Sequence, residues 1–329
     1  MEIVASGIRP TGNLHLGNYF GAVKSFLKMQ YEYNCFFFIA DWHSLTTHPN
    51  PVNLRQSVKT ILAEYLACGI DPEKATIYVQ SDVREVSELY LYLNMNAYLG
   101  ELERVTTFKE KVRSQPDNVN AGLLTYPTLM ASDIIIHKAV KVPVGKDQEQ
   151  NMEMARKAAR RFNNVYGVEF FPEPASFHLS EKAVKVPGLD GSGKMGKSEG
   201  NAIYLIDDEK TIGKKVMRAV TDSGPTEPNS EKPEPIQNLF TMMDIVSGKD
   251  TYDYFNEKYN NCEIRYGDMK KQLAADVNAF CAPIRERIND MISNVDYLEK
   301  VVCMGAEKAS ASAAKTLNEV REIIGFKPY

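Results

Sequence analysis

The chain has 329 residues, of which 43% are hydrophobic and 25% charged, and a formal net charge of -4; this is typical of a globular protein with about two domains. The negative net charge argues against a protein that coats nucleic acid nonspecifically, so DNA is not an expected partner. A negative net charge does not exclude a local basic groove. No apolar run approaches the ~20 residues of a membrane span and residues 1–6 lack the features of a signal peptide, so we expect a cytoplasmic protein with no membrane partner.

The first half of the chain alternates short apolar runs with amphipathic stretches. The predicted strands are residues 3–6, 35–40, 76–80 and 140–144. Between them, apolar side chains recur at helical spacing at Phe20, Val23, Leu27 and Tyr31, and again at Val58, Leu62, Tyr65 and Leu66. Strands separated by helices predict an α/β fold with a Rossmann-like, doubly wound parallel sheet.

The second half of the chain has a different character. Residues 187–201 form a Gly- and Lys-rich loop, residues 225–235 are rich in Pro and polar side chains, and the patterns after residue 236 are helical. We therefore predict an α/β domain over 1–186, a loop over 187–201 and a mostly helical region over 202–329. The prediction leaves open whether the last helix returns to the first domain.

The loop over 188–201, GLDGSGKMGKSEGN, has a composition suited to phosphate. Its beginning fits the P-loop pattern G-x-x-x-x-G-K, but Met195 stands where a P-loop needs Ser or Thr to ligate magnesium. No buried strand runs into Gly188, although a P-loop joins a strand to a helix. The sequence therefore disfavours a P-loop kinase or ATPase.

A second Gly-rich stretch lies near the N-terminus, where residues 6–19 read SGIRPTGNLHLGNY. A predicted strand, a turn and an amphipathic helix follow one another here, the order that places a nucleotide at a helix N-terminus. We expect Gly7, Gly12 and Gly17 to let the backbone approach a ligand, and His15 to lie near triphosphate charge. Taken alone, this pattern also fits a histidine packed in a loop.

Together, HLGN at 15–18 and KMGKS at 194–198 resemble the HIGH and KMSKS elements of class I aminoacyl-tRNA synthetases, which close on ATP. The resemblance implies that an amino acid is activated as its adenylate and passed to tRNA, with Mg2+ accompanying ATP. Charge develops on the leaving pyrophosphate, and Lys194, Lys197 and Ser198 are suited to stabilise it. Gly196 replaces the family's Ser, which predicts a looser loop with retained activity.

A predicted helix over 126–136, YPTLMASDIII, shows a possible amino-acid site, with Pro127 at a second position suited to helix opening. Tyr126, Met130 and Asp133 share one face because of their spacing. An indole is a flat apolar ring with one N–H donor and no acceptor, so Met130 can pack on it and Asp133 can accept its N–H. The alternative is a core helix whose Asp133 is capped or solvated.

Four stretches resemble tryptophanyl-tRNA synthetases as a family: YPTLMASD at 126–133, GELERVTTFKEK at 100–111, VPVGKDQ at 142–148 and DWHS at 41–44. The resemblance implies a tryptophan--tRNA ligase that uses L-tryptophan, ATP and tRNA(Trp) and works as a homodimer. It also implies a catalytic domain at 1–186 and an anticodon-binding region at 202–329. Ala5, Arg9 and Lys146 depart from the residues common in the family.

The site residues that the resemblance implies fall into three groups, and no protein-bound metal is expected beyond magnesium carried by ATP. The catalytic group is His15, Asn18, Lys111, Lys194, Lys197 and Ser198. The ATP-binding group is Gly7, Arg9, Gly12, His15, Gly17, Asn18, Gly145, Asp147, Lys194, Met195 and Lys197. The tryptophan-binding group is His43, Tyr126, Met130, Asp133 and Gln148.

Three other functions stay open at this point: a tyrosyl-tRNA synthetase, a nucleotidyltransferase that does not act on tRNA, and a non-catalytic binding module. Tyrosyl enzymes resemble the 126–136 stretch but usually carry Gln near the position of Met130. The basic pairs in residues 155–161 fit either a solvated helix face or contacts with tRNA phosphates. Some family members carry an iron–sulfur cluster, but Cys262, Cys281 and Cys303 are not closely spaced, so we predict none.

Overall fold

The computed structural model of the chain describes residues 1–145, 148–177, 186–191, 193–197 and 199–326. Its strands are β1 (Ile3–Ile8), β2 (Asn34–Ile39), β3 (Ala75–Val79), β4 (Lys141–Pro143) and β5 (Ala175–Phe177). Helices in the first half are α1 (Leu16–Asn18), α2 (Lys24–Glu32), α3 (Asp41–Ser44), α4 (Pro51–Cys68), α5 (Glu85–Asn96), α6 (Leu99–Leu102), α7 (Thr106–Ser114), α8 (Ala121–Ile135) and α9 (Glu149–Tyr166). They are followed by α10 (Glu209–Met217), α11 (Glu234–Val246), α12 (Lys249–Asn260), α13 (Tyr266–Ser293) and α14 (Val295–Ile324). A π-helical turn over Tyr19–Val23 separates α1 from α2.

Within the described ranges the strands form one parallel sheet in the order β3-β2-β1-β4-β5. The order reverses direction between β1 and β4, and in open α/β sheets a ligand binds beyond the carboxyl ends of the strands at such a switch point. This topology confirms the predicted Rossmann-like, doubly wound sheet. The predicted strands correspond to β1 to β4, whereas β5 was not predicted because its three residues, Ala-Ser-Phe, are only partly buried.

Apolar side chains make up β2 and β3 almost without interruption, as expected for parallel strands covered on both faces. The connecting helix α4 has clear end signals. The Asn50 side chain accepts the N–H groups of Val52 and Asn53, Pro51 occupies the first helical position, and Gly69 ends the helix with φ 107°. These signals fix the length of the crossover between β2 and β3.

The chain divides into two compact units. The first unit consists of Met1–Gly12, Ser25–Glu181 and Asn294–Tyr329, and so contains the sheet and α14. Helix α14 approaches β3 so closely that a Cβ atom built on Gly305 would lie 1.7 Å from the carbonyl oxygen of Ile77. A glycine is therefore required at this crossing point in the helix.

The second unit consists of Asn13–Lys24 and Lys182–Ser293. It contains the HLGN turn, the described part of the Gly/Lys loop and helices α10 to α13, which confirms the helical character predicted after residue 236. The buried amine of Lys270 donates to the Ala219 carbonyl at 2.7 Å and to the Thr221 hydroxyl at 3.1 Å, and so ties α13 to the chain just after α10. The predicted boundaries at 186 and 201 stay predictions.

Helix α8 corrects one prediction, because it begins at Ala121 and not next to Pro127. Asn120 caps the helix through its side-chain oxygen, which accepts the Leu123 N–H at 3.2 Å, and its amide donates to the Thr46 carbonyl at 3.0 Å. Pro127 is therefore the seventh helical residue and is buried. The common face of the residues at 126, 130 and 133 is unaffected, since the helix continues through all three.

Among the helices of the described residues, none combines the length and the apolar character that crossing a bilayer requires.

Candidate active site

The HLGN turn is held by reciprocal hydrogen bonds between its first and last residues. His15 precedes α1, and its Nδ1 accepts the backbone N–H of Asn18 at 3.3 Å. The Asn18 side-chain oxygen accepts the backbone N–H of His15 at 3.1 Å, which completes a capping box. Because Nδ1 acts as an acceptor, the proton of a neutral imidazole must be on Nε2, which is left as a donor.

His15 is neutral at physiological pH. Burial lowers the pKa of its imidazole to about 4, and the positive charges of Lys197 and Lys194 act in the same direction. Gly17 has no room for a side chain, since an added Cβ would lie 2.9 Å from the His15 ring. The turn therefore presents one neutral N–H donor beside two ammonium groups.

Backbone pairing explains how segments far apart in the sequence come together in the second unit. The Leu16 N–H donates to the Ile203 carbonyl at 3.0 Å, and the Leu205 N–H donates to the Leu14 carbonyl at 2.9 Å. The rings of His15 and Tyr204 meet edge to face, with centroids 6.4 Å apart. The HLGN turn is thus paired with the segment that directly follows the Gly/Lys loop.

The described part of the Gly/Lys loop buries its methionine and leaves its lysines more accessible. Met195 is 3% exposed and its N–H donates to the Val186 carbonyl at 2.9 Å, whereas Lys194 is exposed and Lys197 half-buried. Gly196 has space for the family's Ser, because an added Cβ would first meet Glu199 Cγ at 3.4 Å. Ser198 lies outside the described residues, so its predicted role has no structural test.

The remaining predicted ATP contacts belong to the first unit. Gly12 has φ 99° and an added Cβ would meet no atom within 4 Å, so backbone conformation alone favours glycine there. At Gly7, however, an added Cβ would lie 2.3 Å from the ring of Phe38, so this glycine makes room for a core side chain. Arg9 follows β1 and Gly145 is exposed, while Asp147 lies outside the described residues.

Asp133 is the centre of a buried polar cluster in the first unit. Its Oδ2 lies 2.8 Å from Nε2 of His43, and the side-chain amide of Gln80 donates to Oδ1 at 2.7 Å and to Oδ2 at 2.9 Å. Asp133 is 1% exposed, and His43 and Gln80 are no more accessible than 3%. The carboxylate is therefore held in one orientation.

The cluster leaves one acceptor position on Asp133. A carboxylate has about four lone-pair positions. Among the described residues, two are used on Oδ2 and one on Oδ1. Burial raises the pKa of Asp133, and the hydrogen bonds and charge of His43, followed by the hydrogen bond of Gln80, oppose that rise. The geometry leaves room for one further hydrogen-bond donor on this carboxylate.

Tyr126 forms an aromatic wall next to this cluster. Its ring lies 4.3 Å from that of His43, between centroids, at an angle of 57°. Burial raises the pKa of the Tyr126 phenol, the charge of Arg9 opposes this rise, and that of Asp133 adds to it. Met130, one turn before Asp133, is half-buried and packs against the hydrophobic core. The structure thus brings together His43, Tyr126, Met130 and Asp133 in one region of the first unit.

Sequence reasoning missed Gln80 and Asp41, which fix the cluster from the ends of two strands. Gln80 directly follows β3, and its side-chain oxygen accepts the Trp42 N–H at 3.1 Å. Asp41 follows β2 and accepts the N–H groups of Trp42 at 3.0 Å and Ser81 at 3.1 Å. The available signal was a polar residue at the carboxyl end of a buried parallel strand, the usual place for ligand contacts.

Two further predicted site residues, Gln148 and Lys111, lie on or next to helices of the first unit. The side chain of Gln148, at the start of α9, accepts a hydrogen bond from the Asn151 amide at 2.9 Å. Lys111 lies on α7 and is exposed. Their predicted roles with substrate stay predictions.

The basic residues of α9 are largely paired with carboxylates of the same chain. The pairs are Arg156–Glu153, Arg160–Glu173 and Arg161–Glu101. Arg160 makes two hydrogen bonds to its partner, at 2.8 and 2.6 Å, the bidentate geometry expected of guanidinium and carboxylate. These contacts favour a solvated, internally paired helix face over a tRNA-phosphate site.

Comparison with known proteins gives consistent results. The family model described as tRNA synthetases class I (W and Y) matches residues 2–282. A tryptophan--tRNA ligase of Porphyromonas gingivalis is 75% identical over 99% of this chain and 100% of its own length. A tryptophan--tRNA ligase of Clostridium tetani is 39% identical over 99% of this chain and 96% of its own length.

A solved structure shares the fold over nearly the whole chain. It is the tryptophanyl-tRNA synthetase of Campylobacter jejuni complexed with ADP and tryptophan, with a TM-score of 0.89 and 36% identity. The similarity covers 98% of this chain and 99% of the other.

Proposed function

This chain belongs to the class I tRNA synthetases of the W and Y group, and from that membership we propose that it is a tryptophan--tRNA ligase. The first reaction joins L-tryptophan and ATP to give tryptophanyl-adenylate and pyrophosphate. The second transfers the tryptophanyl group to tRNA(Trp) and releases AMP. Relatives with this activity match the chain from end to end, and one of them is 75% identical.

The observation in the site that carries the choice of tryptophan is the fixed carboxylate of Asp133. His43 and Gln80 occupy three of its acceptor positions, which supports a role for the fourth as acceptor of the indole N–H. A tyrosine phenol could also donate to this position, but its oxygen is an acceptor as well, and an ionised carboxylate has no hydrogen to donate in return. A mismatch that leaves such a buried polar atom unpaired costs about 1–3 kcal/mol.

Activation needs no side-chain nucleophile in this proposal. The tryptophan carboxylate attacks the α-phosphorus of ATP and a carboxylate O–P bond forms. The bond between the α-phosphorus and the oxygen that bridges to the β-phosphorus breaks, and pyrophosphate leaves. His15 is suited to donate its Nε2–H to phosphate oxygen, and Lys194 and Lys197 to stabilise the negative charge on the leaving pyrophosphate. Ser198 is assigned as a neutral donor.

The other residues of the proposed site complete the contacts with ATP and tryptophan. ATP is bound by Gly7, Arg9, Gly12, Gly17, Asn18, Gly145, Asp147 and Met195, and Lys111 contributes to catalysis. Tryptophan is bound by His43, Tyr126, Met130, Asp133 and Gln148. Magnesium enters as part of the MgATP substrate in this proposal.

The proposal extends to location, assembly and tRNA. The enzyme works in the cytoplasm as a homodimer, and the region over 202–329 binds the anticodon arm. The family supports these assignments.

Amino-acid-dependent exchange of pyrophosphate into ATP tests the function, with tryptophan and tyrosine supplied separately. We expect exchange with tryptophan only, followed by charging of total tRNA with tryptophan. Exchange with tyrosine alone would instead identify a tyrosyl enzyme, and exchange without charging would identify a nucleotidyltransferase that does not act on tRNA. The absence of both activities would identify a binding module.

A further inference from the structure

We propose that Asn201 is a positioning residue that sets the geometry of the Lys194–Lys197 segment by holding the backbone N–H of Gly196. The inference rests on the proposed function, because it assigns Asn201 a role in adenylate formation. Asn201 does not itself contact ATP in this proposal. It acts through the peptide that lies between the two lysines.

The side chain of Asn201 links two parts of the loop. Its Oδ1 accepts the Gly196 N–H at 2.9 Å, and its Nδ2 donates to Oδ1 of Asp190 at 3.0 Å. Asn201 is 5% exposed, so its side-chain amide is buried, whereas Asp190 is exposed. The amide of Asn201 therefore connects Asp190, which precedes the KMGKS stretch, with Gly196 in the middle of that stretch.

Packing around Gly188 supports the same assignment. A Cβ atom built on Gly188 would lie 2.2 Å from Nδ2 of Asn201, so the glycine leaves the space that the amide fills. Asn201 thus touches one glycine at the start of the loop and a second, Gly196, between the two lysines. The loop is therefore shaped around this side chain.

The same residue lies next to the segment that holds the HLGN turn. Asn201 is two residues before Ile203, whose carbonyl accepts the Leu16 N–H at 3.0 Å. A fixed Asn201 thus relates the position of the lysines to that of His15. Transition-state stabilisation by preorganised donors requires such a fixed relation, because a small displacement of a donor lowers the rate.

The two contacts require a side chain that both accepts and donates. Asn201 accepts a hydrogen bond from Gly196 and donates one to Asp190 through two separate atoms of its amide. An Asn201→Asp change keeps the acceptor but places a second carboxylate against Asp190. In the double variant, the amide introduced by Asp190→Asn can donate to the carboxylate introduced at position 201. The hydrogen bond between the two side chains then forms again with its direction reversed.

The test is a double-mutant cycle of Asn201→Asp and Asp190→Asn, measured by tryptophan-dependent pyrophosphate exchange. Asp190→Asn is measured alone because Asp190 takes part in further interactions. We expect Asn201→Asp to lower kcat about tenfold, with little change in KM for tryptophan, and the double variant to recover most of this loss relative to Asp190→Asn. Asn201→Ala should also lower kcat, without rescue by Asp190→Asn.

A matched control is Asn163→Ala, because Asn163 also links turn peptides through both ends of its amide, to Phe170 and Phe171. It should lower the melting temperature and leave kcat unchanged. The inference is overturned if Asn201→Asp keeps wild-type kcat, or if the double variant shows no recovery while the singly substituted proteins are folded. An inactive wild-type protein would instead overturn the proposed function, so the two failures are distinguishable.

Discussion

The side-chain amide of Gln80 donates to both carboxylate oxygens of Asp133, at 2.7 and 2.9 Å. Gln80 is itself oriented by the Trp42 N–H, which donates to its oxygen at 3.1 Å, so the amide cannot turn its oxygen towards the carboxylate without losing that bond. Asp133 is thereby kept in the orientation that the tryptophan proposal requires.

Replacement of Gln80 by Glu should make kcat/KM for tryptophan depend on pH more strongly than in the wild-type protein. Two buried carboxylates in contact cannot both ionise easily, so the pKa of one is raised. At pH 8 we expect kcat/KM for tryptophan to fall at least about tenfold, which corresponds to about 1.4 kcal/mol. As pH falls through the raised pKa, the introduced carboxyl group becomes protonated and can again donate to Asp133, so activity relative to wild type should recover.

Gln272→Glu is the control for this change, because Gln272 also donates to an aspartate, Asp276, at 2.9 Å, but is exposed. Solvent screens this second pair, so its activity profile should match wild type. An unchanged kcat/KM for Gln80→Glu at every pH would contradict the role given to Gln80.

The two lysines of the KMGKS stretch should act on the rate of activation more than on amino-acid binding. Lys194→Ala and Lys197→Ala each remove a positive charge that is expected to stabilise the leaving pyrophosphate, and each should lower kcat about a hundredfold or more. KM for tryptophan should change little. Exposed Lys271 on α13 is the control, and its Ala variant should keep full activity. Equal kcat values in wild type and all three variants would contradict the role given to the two lysines.

The close crossing of α14 and β3 predicts opposite outcomes for two helical glycines. Gly305→Ala places a methyl group 1.7 Å from the Ile77 carbonyl oxygen, so the helix must move, and we expect a loss of about 2–4 kcal/mol in the free energy of unfolding. Gly213→Ala in α10 meets no atom within 4 Å and should raise stability by about 0.5–1 kcal/mol. Urea denaturation measures both, and an unaffected Gly305→Ala protein would contradict the packing.

A buried histidine should make stability depend on pH. The His137 ring stacks on Phe36 and lies within 3.0 Å of the Tyr78 hydroxyl and 3.1 Å of the Ser312 hydroxyl. Burial lowers the pKa of His137 to about 3, so the imidazole stays neutral in the folded protein while the unfolded chain takes up a proton below about pH 6.5. The free energy of unfolding should therefore fall with decreasing pH, by about 2 kcal/mol at pH 5 from this group.

Urea denaturation at pH 7, 6 and 5 checks this, with His137→Gln for comparison. The variant should be less stable at every pH because it loses the ring contacts, but its stability should fall less steeply between pH 7 and pH 5. The same slope in both proteins would show that another group causes the dependence.

Strong local patterns made the fold predictable. The apolar runs of β2 and β3 and the helical spacing of α4 are each visible within a short stretch of sequence, and all three are confirmed. The spacing of Tyr126, Met130 and Asp133 likewise placed them on one helical face. The short β5 was missed because three residues, one exposed and two half-buried, carry little pattern. The start of α8 at Ala121 was missed because the cap at Asn120 outweighs the signal of Pro127.

Partners of the site residues were not predictable in the same way. Gln80 and Asp133 are 53 residues apart, and Asn201 bonds Asp190 across the loop. Such pairs depend on how strands and loop ends meet in three dimensions. Helical or strand periodicity indicates only which residues of one element share a face.

The most direct test is a crystal structure of the protein soaked with tryptophan and ATP. We expect phosphate oxygens within hydrogen-bond distance of His15 Nε2 and of the amines of Lys194 and Lys197. We also expect the indole N–H to donate to the Asp133 carboxylate. A nucleotide bound away from either the HLGN turn or the KMGKS stretch, or a tryptophan whose ring nitrogen does not reach Asp133, would contradict these expectations.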